Sequence, residues 1–151
     1  MSTPKRLLVF AAAALAACAT PQPAGTPSPK FGEPVSAQQL AGTGFHEISG
    51  IAWSGAGRIR RVEVSTDGGQ TWAEAALTGA ERAKALVRFR HPWQWQGAAA
   101  VLQSRATDEK GTVQPARREW QARFAPDIRF HNNSIVSWGV ETDGSVKNVY
   151  A

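Results

Sequence analysis

The chain is predicted to fold as an all-β sandwich, and three observations carry that prediction. Short segments with period-two apolar alternation recur over residues 44–150. Turns bearing glycine and aspartate separate them roughly every 8–12 residues. No stretch shows a convincing apolar stripe at helical spacing. About seven such segments argue for an immunoglobulin-like sandwich. Six tryptophans, all between Trp53 and Trp138, imply a core rich in large rings.

Residues 1–17 stand apart from this pattern. Lys5 and Arg6 make a short basic n-region, and 7–17 is an apolar run of eleven residues. Such a run is too short to span about 30 Å of hydrocarbon as a helix, so it reads as a secretory signal that is not part of the fold. Leu15-Ala16-Ala17-Cys18 resembles a bacterial lipobox, in which small residues precede a cysteine that becomes the lipidated N-terminus. Cys18 is the only cysteine in the chain and is the expected lipidation site. Residues 18–35 follow as a tether, since 19–35 hold five of the nine prolines among Thr, Gly and Ser. A single domain is expected over 36–151, lipid-anchored to a bacterial membrane on the periplasmic side. With no cysteine inside it, disulfides, thiolate metal sites and cysteine nucleophiles are excluded there.

The segment 45–53 alternates as a strand with one buried face, and Ser54-Gly55-Ala56-Gly57 reads as a turn because glycine adopts positive φ without penalty. Over 58–65, Ile59, Arg61, Glu63 and Ser65 alternate with Arg60, Val62 and Val64, which predicts Val62 and Val64 inward and Arg61 beside Glu63 outward. Residues 65–72 match Ser-x-Asp-x-Gly-x-Thr-Trp, the Asp-box. Asp67 accepts backbone N–H groups across the turn, with Ser65 and Thr71 beside it. Gly69 takes the left-handed conformation, and Trp72 re-enters the core as a third strand begins.

Residues 81–85 read as a helical turn or a linker. A strand is expected over 85–95, with Leu86, Arg88 and Arg90 outward, Val87 and Phe89 inward, and Pro92 ending or bulging it. Further strands are expected over 98–107 and 113–121, joined by the polar turn 108–111, with Trp120 as a core candidate. The last part holds an irregular polar patch at 130–133, a strand over 135–140, a turn at 142–145 and a short strand over 146–150.

No catalytic constellation emerges from this order. His46, His91 and His131 lack metal-ligand spacing, and Asp67, Asp108 and Asp143 sit in turns, where aspartate has a conformational role. Asp-boxes occur in sialidases and other β-propellers, which keeps a glycan-binding reading open. One copy in about 110 residues cannot build a propeller of four or more blades, however, so the box reads as structural. The formal charge of +5 is spread among acidic residues without a run of five cations, which favours a solvated basic face over a nucleic-acid site.

Four blocks carry a family likeness: GFHEISGIAWSGAGRIRRVEVSTDGGQTWAEAAL, LVRFRHPWQWQG, AVLQSRATDEKGTVQP and HNNSIVSWGVETDGSVKNV. Together, over about residues 35–151, they resemble the C-terminal dimerisation domain of the sulfite oxidase family of molybdenum enzymes. Within that family the likeness is to the molybdenum subunit of the Sox-type sulfur (sulfane, formerly sulfite) dehydrogenase. The resemblance implies an immunoglobulin-like sandwich of the E-set kind and a two-fold dimer. Family members carry, before this domain, a catalytic domain that binds molybdopterin and supplies the molybdenum-ligating cysteine. A signal and a tether stand in that place here, so no catalytic, cofactor-binding or metal residue is assigned, and Cys18 is not the metal ligand. Family enzymes exported with their cofactor use a twin-arginine signal, whereas Lys5-Arg6 looks like ordinary Sec export. In animal and plant relatives an arginine of the C-terminal block reaches toward the oxyanion pocket. His131 stands at about that position and is the candidate anion contact, against the alternative of a capped surface histidine.

Three functional readings stand at this point. The first is a stand-alone dimerisation or interaction module that is not catalytic alone. The second is the accessory half of a split molybdenum-dependent sulfite or sulfane dehydrogenase, partnered by a molybdopterin subunit and a cytochrome c. The third is a glycan-binding Asp-box module.

Overall fold

The computed structural model describes residues 12–16, 38–79, 82–124 and 132–150. In chain order its elements are β1 (Ala12–Ala16), β2 (Gln38–Gln39), β3 (Gly44–Ala52), β4 (Ile59–Ser65), β5 (Ala73–Glu74), β6 (Ala76–Thr78), β7 (Val87–Trp95), β8 (Ala100–Asp108), α1 (Arg117–Phe124), β9 (Ser137–Val140) and β10 (Ser145–Val149). The strands form two antiparallel sheets, ordered β1-β3-β7-β6 and β2-β10-β9-β8-β4-β5. This is the all-β, immunoglobulin-like sandwich that the alternation predicts.

The core lies between the sheets. Ile48, Ala52, Val87, Phe89 and Trp95 come from the smaller sheet, and Val62, Val64, Leu102, Ala106, Val140 and Val146 from the larger. Phe89 is fully buried, while its neighbours Arg88 and Arg90 are exposed, as period two requires. Burying a ring of this size stabilises by about 1.5–3 kcal/mol. Only part of the tryptophan set forms core: Trp95 is buried, and Trp93 and Trp138 pack against the cluster. Trp72 and Trp120 stay half-buried outside it, contrary to the expectation for both.

Several elements depart from the alternation reading, each for a physical reason. In β4 the register shifts between Ile59 and Arg61, a β-bulge that turns Ile59 inward and leaves Arg60 and Arg61 both exposed. Beyond the Asp-box the third strand is two short pieces. β5 pairs with β4 in one sheet and β6 with β7 in the other. Buried Ala75 marks the crossing, its N–H donating to the Val62 carbonyl at 2.8 Å. The strand expected to stop at Pro92 instead runs through it as β7, with Pro92 opposite Glu47 of β3. β6 ends opposite Arg90, so β7 has an uncovered flank at Pro92 on which a missing N–H costs no ladder bond.

The segment 113–121, expected as a strand, makes one bridge from Val113 to Thr107 and then becomes α1. The sequence Arg117-Arg118-Glu119-Trp120-Gln121-Ala122-Arg123-Phe124 is built largely of good helix formers. Glu119 also reaches back to accept the Ala116 N–H at 3.2 Å, the Glu arm of a capping box. The first helical bond, Trp120 N–H to Ala116 C=O, follows at 2.9 Å. A helix this short has too few positions for an apolar stripe to declare itself.

Ala12–Ala16, read from the sequence as signal outside the fold, pairs antiparallel with β3 from Ala12↔Ile51 to Ala16↔Glu47. An apolar run beside an open sheet edge has backbone donors and acceptors to match it. The tether 18–35, with Cys18, lies outside the described residues, as do His131 and the start of the polar patch.

Candidate functional site

The Asp-box begins where β4 ends. The Ser65 hydroxyl donates to Asp67 Oδ1 at 2.7 Å and accepts the Gly69 N–H at 2.8 Å. Asp67 Oδ1 also accepts the Gln70 N–H at 3.0 Å and the Thr71 N–H at 2.9 Å. Its Oδ2 takes the Thr71 hydroxyl and shares the Thr71 amide. These donors, with the Thr71 side chain foremost, hold the Asp67 carboxyl far below the ordinary aspartate range. Gly69 has φ +90°, a conformation that favours glycine, and a Cβ there would also press on Gln103 Oε1 at 2.7 Å. Trp72 closes the turn through its indole N–H to the Gly69 carbonyl at 3.0 Å. The loop is pinned to β8 by the Gly68 N–H to the Val101 carbonyl at 2.9 Å.

All five sequence-singled box residues therefore meet in one turn. The carboxylate is fully engaged by its own chain, so nothing about it is poised to accept or transfer a proton. Beside the box, the Arg105 guanidinium lies 4.2 Å over the Trp72 ring and binds both oxygens of Glu63 at 2.9 and 3.2 Å. Arg61 approaches the same carboxylate at 3.4 Å, and the Arg105 hydrogen bond leads in holding the Glu63 carboxyl below the ordinary glutamate range. This is a ladder of charge and stacking on the outer face of the larger sheet, joining β4, β8 and the box.

A second aspartate was invisible as a site residue in the sequence. Asp108, expected only as a turn residue, is completely buried at the end of β8. Its Oδ1 accepts the Lys110 and Thr112 N–H groups at 3.0 and 2.9 Å, and its Oδ2 accepts the Ser54 hydroxyl at 3.2 Å. That last bond ties the Ser54-Gly55-Ala56-Gly57 turn to the turn after β8. The adjacent Glu109 binds the Arg58 N–H and guanidinium, which pulls its carboxyl below the usual range. Gly57 lies directly beneath this pair: a Cβ there would fall 2.2 Å from Glu109 Oε1 and displace the Glu109 side chain.

His46 and His91 point into the sandwich rather than into a cleft. His46 shares a 2.8 Å hydrogen bond with the Gly42 carbonyl and packs against Trp93 and Trp95, with ring centroids 6.3 and 6.1 Å away. Among the described residues no three His, Cys, Asp or Glu side chains converge as a metal site.

One polar cleft of about 200 Å³ opens where α1 meets β9 and β10, lined in part by Arg117, Asn132, Ser134, Asn148 and Tyr150. Buried Gln114 ties Ser134 of this lining to β8, donating to the Ser134 carbonyl at 3.0 Å and accepting the Ala106 N–H at 3.3 Å. The cleft amides are occupied: Asn132 Oδ1 accepts the Ser134 N–H and Asn148 Nδ2 donates to the Ser137 carbonyl. The Arg117 guanidinium stacks 4.3 Å over Tyr150. Asn132 adjoins the position of His131, which itself lies outside the described residues.

Comparison with known proteins agrees with this architecture. The family model described as the Mo-co oxidoreductase dimerisation domain matches residues 24–137. Mitochondrial sulfite oxidase of Mus musculus is 40% identical over 75 residues, covering 45% of this chain and 14% of the relative. Sulfite oxidase of Arabidopsis thaliana is 32% identical over 107 residues, covering 62% of this chain and 27% of the relative. The crystal structure of the sulfane dehydrogenase SoxCD from Paracoccus pantotrophus superposes with a TM-score of 0.69 at 41% identity, covering 94% of this chain and 33% of that one. The chain thus spans a small part of the length of each. A sandwich of this topology, with a family match across three quarters of its residues, belongs to the Mo-co oxidoreductase dimerisation domain family of the sulfite oxidases.

Proposed function

We propose that this chain acts as a stand-alone dimerisation and interaction module of the sulfite oxidase family, without catalysis of its own. The observation that carries the reading is the identity of the matched domain: residues 24–137 match the dimerisation domain of the family, and 94% of this chain superposes on the SoxCD chain. The described side chains are consistent with it, because their polar clusters are consumed in holding turns together. In this reading the chain is exported through its N-terminal signal, lipidated at Cys18 and held in the periplasm as a homodimer that binds no molybdenum.

Elemental analysis and analytical ultracentrifugation of the purified protein test both halves. The expected result is a dimer without molybdenum. Stoichiometric metal would sink the non-catalytic claim, and a monomer at tens of micromolar would sink the dimer.

A second reading has one observation in its favour, the 41% identity to a chain described as sulfane dehydrogenase. There the module serves a molybdopterin subunit in trans, together with a cytochrome c, and His131 approaches the substrate anion. Co-purification from native cells separates the two: a molybdenum subunit in the pull-down favours the split enzyme. The glycan-binding alternative gains no support from the box, since the Asp67 oxygens already have donors within the turn.

A further inference from the structure

The four sheet edges of the sandwich are very unequal. β2 and β5 bound the larger sheet and have two residues each, and β6 bounds the smaller sheet with three. Short edges of this kind resist strand addition. The remaining edge is different. β3 has nine residues, and β7 pairs with all nine on one flank. On the other flank Ala12–Ala16 cover only residues 47–51. The guards that usually protect a long edge are missing from β3: it holds no lysine and no proline, and Glu47 is its one acidic residue. Phe45, on the outer face of that edge, is 69% exposed.

Ala12–Ala16 belong to the segment that the sequence assigns to the signal, ahead of Cys18. Its removal leaves the backbone donors and acceptors along that flank of β3 without the strand that pairs with them here. The pairing with β1 also shows that the edge accepts an antiparallel partner in regular register.

We propose that this edge of β3 is a strand-addition surface, and that its occupant in the processed protein is β3 of a second copy. The proposal rests on the dimer reading above and names the surface that makes the dimer. The strand is self-complementary about a two-fold axis at Ile48. In that register Phe45 lies opposite Ile51 of the second copy, twice over, and Glu47 lies opposite Ser49. Phe45, Glu47, Ser49 and Ile51 share the outer face of the sheet, so these are cross-strand contacts. Centring on Glu47 instead would set the two carboxylates directly against each other, and centring on Ser49 would set each Glu47 against Ile51. Of these three registers, only the one centred on Ile48 avoids both. The signal strand and the second copy compete for the same edge, so self-association begins with processing.

The test uses protein expressed from its full chain, processed by the host and purified in detergent. The double variant Glu47→Cys/Ser49→Cys places thiols opposite each other across the two-fold, within disulfide reach of a cross-strand pair. Oxidation is expected to give a covalent dimer on denaturing gels. Each single variant is expected to stay monomeric there, because like residues lie diagonally, beyond disulfide reach. In unmodified protein, β3 amides gain hydrogen-exchange protection as concentration rises, and Phe45→Asp weakens self-association about tenfold. A dimer by ultracentrifugation that resists cross-linking in the folded double variant overturns this surface and leaves the module reading intact. A monomer overturns both. Intact mass showing Ala12–Ala16 retained in a dimer also overturns the proposal, since the edge would then stay covered.

Discussion

Two aspartates stand at opposite ends of β4 and hold turns in different ways. Asp67, just past Ser65, reaches donors no more than four residues away in sequence. Asp108, paired with Ile59 at the other end, is wholly buried and binds Ser54, fifty-four residues distant, as well as Lys110 and Thr112. Both carboxylates do the same chemistry, accepting hydrogen bonds that would otherwise be lost at a turn. Their energetic weight differs because of where the solvent is. The Gln70 and Thr71 donors deprived of Asp67 are met by water, whereas the wholly buried Ser54 hydroxyl deprived of Asp108 is left unsatisfied in the interior. The recognisable motif is thus the lighter of the two supports, and the heavier one has no motif.

The largest effect tests that contrast directly. Asp108→Ala is expected to destabilise by about 3 kcal/mol, since it orphans the buried Ser54 hydroxyl and takes the acceptor from two amides of the following turn. Urea denaturation of the purified protein measures it, and a loss under about 0.5 kcal/mol, typical of a neutral surface change, would collapse the comparison. Ser54→Ala removes the long-range bond and the local one from the Ala56 N–H, leaves the Lys110 and Thr112 bonds in place, and is expected to cost about 1 kcal/mol. The ladder between the two turns falls in the same range. Arg105→Ala gives up a two-pronged bond to half-buried Glu63 and the stack on Trp72, for about 1 kcal/mol. Trp72 is expected to become more exposed in that variant, which a fluorescence quencher reads out.

The same contrast explains what the sequence makes legible. Alternation in 58–65 and 85–95 places Val62, Val64, Val87 and Phe89 inward correctly, because period two is a local property of the backbone. The Asp-box is legible as a turn for the same reason: every bond that Asp67 accepts is local. Asp108 hides because its partner Ser54 lies in another turn, and nothing in either stretch announces the other. α1 hides because eight residues give no stripe, and because Ala116 at the cap lacks the Ser, Thr, Asp or Asn that would make Glu119 readable as a capping box. The inward turn of Ile59 and the crossing at Ala75 depend on which sheet each strand joins. That choice is made by packing, and a one-residue bulge reverses it.

The smallest effect distinguishes the supports by pH. The bonds from Thr71, Ser65 and Gln70 hold the folded Asp67 carboxyl well below the unfolded value of about 3.9. A depressed folded value means the ionised form is favoured by folding. Its stabilisation is therefore complete above about pH 4 and is lost as pH falls below that, toward the folded value. Because the group is exposed, the expected consequence is local: faster amide exchange at Gly69, Gln70 and Thr71 at pH 3 than at pH 5 after correction for intrinsic rates. β3 and β7 amides should keep their protection over the same range. Asp67→Asn is expected to show the faster exchange already at pH 5, with little further change on acidification. If acid instead opens the box and the sandwich together, the turn is part of the global fold after all, and the two aspartates carry equivalent loads at the two ends of β4.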